Sequence, residues 1–299
     1  MDKKWLYLLL LSLIWGSSFI LIKKGLIGLT QLQLGSLRIV MTSIILFSVG
    51  LRRLKEINRP QWTWITLSAL FGTFFPAFLF AFAQKHIDSS VASILNSFTP
   101  LATAVLGYLA FSIYTTRRQV LGVIIGLMGS IILILAGTKI NPEQNHWYGV
   151  LVMIASVCYA LNVNIIKKYL EDLSPLAIAT GNFVVIALPA FFILIDTGYF
   201  SQVMTMPQIQ VSSGYIFLLA FFGTALAKIL FNKMIQIASP VFASSVTYTM
   251  TVVAVVWGVF DDERLSWHQV FSAGIVMFGV YLANQSKKPS GSKVVQDDF

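Results

Sequence analysis

A chain of 299 residues that is 57% hydrophobic and only 11% charged cannot hide its apolar side chains in one water-soluble core, so lipid must serve as part of its solvent. The formal net charge of +9 does not mark a nucleic-acid-binding face, because Lys and Arg fall in short clusters between apolar runs, as in cytoplasmic loops. Cys158 is the single cysteine and sits inside an apolar run, which excludes an intramolecular disulfide framework and a thiolate metal site and predicts a buried small hydrophobe.

Apolar runs long enough to cross a hydrocarbon core of about 30 Å as helices fall in chain order near Trp5 to Lys23, Leu32 to Leu51, Trp62 to Gln84, Val91 to Phe111 and Gln119 to Gly137. Five more follow, near Tyr148 to Ile166, Leu176 to Ile195, Gly214 to Ile237, Pro240 to Phe260 and His268 to Asn284. The first run follows Asp2-Lys3-Lys4 but ends without a small-x-small cleavage pattern, so it reads as a retained span. Breakers or charges fill the connections, for example Arg52-Arg53-Leu54-Lys55, Asn141-Pro142-Glu143 and Ser174-Pro175, and no soluble domain fits between them.

The halves repeat. Phe71-Gly72-Thr73 matches Phe222-Gly223-Thr224, Ala92-Ser93 matches Ala243-Ser244 and Gly107 matches Gly258, all at an offset of 151. Leu21-Ile22-Lys23-Lys24 matches Ile165-Ile166-Lys167-Lys168 at 144. Because five is odd, the second half must enter the membrane from the opposite side. The reading is therefore an all-α membrane protein of ten transmembrane helices in two inverted five-helix repeats, residues 1–138 and 139–285, followed by a disordered cytoplasmic tail at 286–299. That architecture favours a transporter. With the N-terminus inside, 14 loop or span-end Lys and Arg face the cytoplasm and 5 face outward, so both termini are expected in the cytoplasm.

Lys228 lies near the middle of the eighth run, where a lysine costs about 2.5 to 3.5 kcal/mol on insertion scales. Thr224, Lys228, Asn232 and Gln236 recur every four residues and form a polar stripe expected to face a cavity; the alternative is a structural lysine bonded to carbonyls of an opposing helix or snorkelling to the interface. Arg38 lies about 9 Å inside the second run and either holds a carboxylate bidentately, snorkels to the outer interface or ties carbonyls of neighbouring helices. Runs one and six carry matched stripes, Ser12, Trp15 and Ser18 answering Ser156, Tyr159 and Asn162. Runs four and nine do the same, with Ser93, Asn96, Ser97 and Pro100 answering Ser244, Thr247, Tyr248 and Thr251. Such residues also serve as helix-packing glue, as does the Gly122–Gly126 pair. The expected substrate-binding set is Lys228, Asn232, Thr224, Trp15, Tyr159, Asn162, Asn96, Ser93, Ser244, Tyr248 and Arg38, and no metal or cofactor is expected.

All twelve Asp and Glu lie in loops, tails or span ends, so a proton-coupled mechanism has no deep carboxylate to use. His86 sits near the outer end of the third run and is expected at the interface. No paired carboxylates, metal-spaced His cluster or nucleophile triad appears, which leaves an intramembrane enzyme without its catalytic groups.

Trp15-Gly16-Ser17-Ser18-Phe19, Arg38, Ala83 to Gly107 with Pro100, and Trp257 to Leu265 followed by Gln269 and Gly279 together resemble the EamA-type drug/metabolite transporter family. The likeness spans residues 5–285. It implies ten helices in inverted repeats, a central cavity and movement of small metabolites, often amino acids or related compounds, usually outward across a bacterial inner membrane. The family's Glu-Arg pair stands at Glu263-Arg264, whereas the first half has Ile113-Tyr114 there, so a helix-end ion pair is expected at Glu263. The function expected is export of a small anionic or zwitterionic metabolite by alternating access, through a cavity between runs 1, 3, 4, 6, 8 and 9. The alternatives are a lipid or lipid-phosphate carrier of the same superfamily and a non-translocating receptor or scaffold. The bilayer and a small-molecule substrate are the expected partners, and oligomeric state stays open.

Overall fold

The computed structural model describes residues 3–112, 145–263 and 267–284, with scattered positions between 118 and 132. The fifth apolar run with its Gly122–Gly126 pair, Arg264 and the 286–299 tail fall wholly or largely outside the described residues. Among the described residues all regular structure is helical. Eight helices are long and apolar enough to cross a membrane. They are α1 Lys3–Gly25, α2 Gln31–Gly50 with a 3₁₀ turn to Glu56, α3 Arg59–Gln84, α4 Ser89–Phe111, α5 Gly149–Tyr169, α6 Pro175–Asp196, α7 Pro207–Ile237 and α8 Pro240–Phe260. A ninth, α9, spans Trp267–Asn284, and a short helix, Tyr199–Thr205, joins α6 to α7.

Local chemistry sets the ends. Thr30 and Asn58 each form a capping box, with Gln33 and Gln61, and Ser174 and Ser239 cap helices whose first residue is proline. The eighth apolar run begins as a helix at Pro207 rather than at Gly214, because its polar first turns find tertiary partners that hydropathy does not register. Gln208 donates to the Ile27 carbonyl and the Ser212 hydroxyl accepts from the Gly28 amide.

Contacts between the halves come in reciprocal pairs. α1 lies parallel to α8, with Ser12 against Thr249, Ser17 against Trp257 and Lys24 against Asp261. In return α5 lies parallel to α4, with Ser156 against Asn96, Asn164 against the Thr103 carbonyl and Lys168 against the Phe111 carbonyl. α1 runs antiparallel to α7 and α5 antiparallel to α3, the latter seen in Trp64 stacking on Tyr169 and Phe80 near Tyr159. α2 and α6 pack antiparallel on each other.

The buried side chains form two main layers. One gathers Phe19, Ile22, Leu34, Phe80, Leu95, Leu194 and Leu219 near one end of the bundle, and the other gathers Leu11, Ile65, Ile166, Ile178, Met234 and Val246 near the opposite end. Outward faces expose Ile44, Leu188, Phe192, Val211 and Val252, surface that lipid solvates without the penalty water would exact.

Candidate substrate cavity

Between the two layers lies a cavity with about 90 Å³ of space open to water. Four helices reach it through departures from regular α geometry. α3 and α7 each contain a π-turn, Leu70–Phe74 and Leu219–Leu226. α4 breaks after Asn96 and resumes at Thr99 ahead of Pro100, and α8 breaks after Ser244 and resumes at Val246. A π-turn or a break withdraws carbonyls from the i to i−4 ladder and offers them to side chains. Here both π-turn glycines use that freedom. Lys228 Nζ donates to the Gly72 carbonyl at 2.5 Å, and Trp15 Nε1 donates to the Gly223 carbonyl at 2.9 Å. Glycine is needed at 72, where a Cβ would lie 2.5 Å from the Asn162 amide.

Lys228 is 8% exposed, so it neither faces lipid nor reaches water at an interface. Its bond to the π-turn carbonyl is the structural role weighed from the sequence, but the same side chain also lines the cavity. Arg38 is half-buried and donates Nε to Thr224 Oγ1, one turn before Lys228, at 2.8 Å, while that hydroxyl donates onward to the Leu219 carbonyl at 3.1 Å. Among the described residues no carboxylate pairs with either basic group, and no Asp or Glu lines the cavity.

Eight of the eleven residues expected at the site line this cavity: Lys228, Thr224, Arg38, Trp15, Tyr159, Asn162, Asn96 and Ser244. The other three are buried elsewhere. Asn232, one turn beyond Lys228, has its amide turned to the Pro175 carbonyl, because the four-residue stripe drifts around the helix away from the cavity. The Ser93 hydroxyl bonds the Ser90 carbonyl and the Ser93 carbonyl accepts from Thr251, so Ser93 serves α4–α8 packing. Tyr248 is buried outside the cavity lining. His86 stacks on Tyr148, also away from the cavity.

Sequence patterning missed the aromatic wall. Phe19, Phe80 and Phe231 line the cavity and are 5%, 4% and 8% exposed, with the Phe231 ring 4.8 Å from Trp15 and Phe19 5.8 Å from Phe80. Phenylalanine is so frequent in the apolar runs that nothing singles these three out. Thr73 was missed as well, although its place beside Gly72 in the repeated Phe-Gly-Thr could have flagged it.

Above the cavity, at the end where α1 and α8 finish and α4 begins, stands an ionic cluster. Glu263, 8% exposed, accepts from the backbone amides and hydroxyls of both Ser89 and Ser90 and from Lys23, while Asp261 pairs with Lys23 and Lys24. Burial pushes the Glu263 carboxyl up, and the bonds from Lys23, Ser89 and Ser90 outweigh it, so the group lies below the ordinary glutamate value. Asp261 is lowered too: burial raises it, and its bonds to Lys23 and Lys24 prevail. The helix-end ion pair expected at Glu263 therefore forms with Lys23 of the other half.

The sequence model described as the EamA-like transporter family matches residues 3–135 and again 146–285. The uncharacterized inner membrane transporter YedA of Escherichia coli K12 is 26% identical over 300 residues, covering 96% of this chain and 94% of its own. An S-adenosylmethionine/S-adenosylhomocysteine transporter of Chlamydia trachomatis serovar L2 is 23% identical over 283 residues, covering 91% of this chain and 86% of its own. A solved crystal structure at 14% identity covers 95% of this chain and 96% of its own with a TM-score of 0.65, a likeness of fold.

Proposed function

The chain belongs to the EamA-like transporter family, and from that premise we propose that it moves a small anionic or zwitterionic metabolite across a bacterial inner membrane by alternating access. The observation that carries this reading is the cavity itself, which lies between the two buried layers and is lined by basic and hydroxylated side chains from both halves. A site held midway between two closures is what alternating access requires.

The reading takes residues 1–138 and 139–285 as inverted repeats of five spans each, with both termini in the cytoplasm. Three facts support it. The family's pattern matches twice, the packing between the halves is reciprocal, and α1 lies parallel to α8 while α5 lies parallel to α4. With short connections alternating helix direction inside each half, the last fact sets α5 opposite to α1. The inner-membrane location rests on the name of the Escherichia coli relative, and an outward direction on the family's habit.

Purified protein reconstituted into liposomes should accumulate labelled substrate only when the same compound is preloaded or its gradient is imposed. Binding without translocation would instead mark a receptor or scaffold.

A further inference from the structure

Resting on that transport reading, we infer that the substrate enters as a net anion, its carboxylate or phosphate held between Arg38 and Lys228 and its apolar body against Phe19, Phe80 and Phe231. Both basic groups keep donors in reserve, since Arg38 bonds through Nε and Lys228 through one contact to the Gly72 carbonyl. The Thr73 hydroxyl points the same way. It lines the cavity, is 5% exposed and has no hydrogen-bond partner among the described residues.

Charge bookkeeping decides the class. Two cations share a cavity to which no carboxylate contributes among the described residues, and their mutual repulsion grows as water is excluded. A bound anion converts that repulsion into two attractions, and a planar guanidinium beside an ammonium suits either a carboxylate or a phosphate. A zwitterion gains the same contacts but also brings an ammonium group that meets only neutral partners such as Asn96 and Ser244. S-adenosylmethionine carries a sulfonium in addition, so its charge is wrong for this cavity even though a relative is named for its transport.

The test keeps one apolar body and changes its charge: phenylpyruvate, phenyl phosphate, phenylalanine and phenethylamine, with S-adenosylmethionine alongside, measured as thermal shift and direct binding on the purified protein. Phenylpyruvate or phenyl phosphate should bind about ten- to hundredfold tighter than phenethylamine, and whichever of the two leads identifies the anionic group. Lys228→Met and Arg38→Gln should each flatten this order, and Thr73→Val, which leaves both charges in place, should weaken the anion without abolishing the order. Equal or tighter binding of phenethylamine or S-adenosylmethionine, no binding by either anion, or an order unchanged in both charge variants overturns the inference. Because the readout is binding, anion selectivity without uptake into liposomes would defeat the transport reading and leave this one standing.

Discussion

Glu263, just past the end of α8, accepts hydrogen bonds from both the amide and the hydroxyl of Ser90, in the first turn of α4, and so ties the two halves of the protein at one end of the cavity. Carboxylates favour helix N-termini because the first amides lack partners and the helix dipole is positive there. Gly258 permits the approach, since a Cβ at that position would lie 2.5 Å from a Glu263 oxygen. At the opposite end, Lys168 donates to the neutral Phe111 carbonyl and lies over the Phe111 and Tyr169 rings, and Lys167 pairs with Glu171 of its own half.

Glu263→Gln should therefore lower thermal stability in detergent by about 2 kcal/mol and loosen the α4–α8 end first. Both Glu263 and Asp261 are lowered in the folded protein, so their contribution is present at neutral pH and is lost as pH falls through the folded values. A thermal-melt series from neutral to acid pH should show this loss in the parent and a smaller one in Glu263→Gln. Equal acid sensitivity in the two proteins would assign the effect to other groups.

Lys228→Met should stay folded, because it removes a buried charge, yet lose transport of anionic substrates. Lys228→Arg should be only partly active, since a planar fork does not replace a compact ammonium beside the Gly72 carbonyl. Measured together, size-exclusion behaviour and vesicle uptake separate this from a structural role, in which both would fail at once. A stable Lys228→Met that transports normally would leave Arg38 as the sole charged contact.

Among the described residues no carboxylate lines the cavity, so transport down an imposed substrate gradient should survive a protonophore. Uptake in vesicles that collapses with the proton gradient, and does so equally in Lys228→Met, would reveal a coupling group elsewhere.

Reporters fused after Lys55, Arg118 and Lys168 should signal the cytoplasm and a fusion after Lys139 the outside, as the distribution of Lys and Arg requires. A cytoplasmic signal after Lys139 would break the ten-span inverted arrangement.

The sequence alone determined the helical membrane class and most helix limits, because a span must be long, apolar and capped whatever it packs against. Pro240–Phe260 emerges with the limits read from hydropathy, and Thr30, Asn58 and Ser174 supply side-chain caps at the starts of α2, α3 and α6. Repetition at an offset of 151 likewise marked Gly72 and Gly223 as a pair, and a deep lysine marked Lys228 as one wall of a site. Only the tertiary structure decided which polar residues of a stripe share that site. Lys228 and Asn232 lie one turn apart on α7, yet a four-residue step drifts around the helix, so one side chain enters the cavity and the other bonds the Pro175 carbonyl. The aromatic wall and the Glu263 tie were likewise beyond reach, since each joins residues far apart in the chain whose types are common in any apolar or helix-end segment. Their meaning comes from which neighbours they meet, and periodicity carries no information about neighbours.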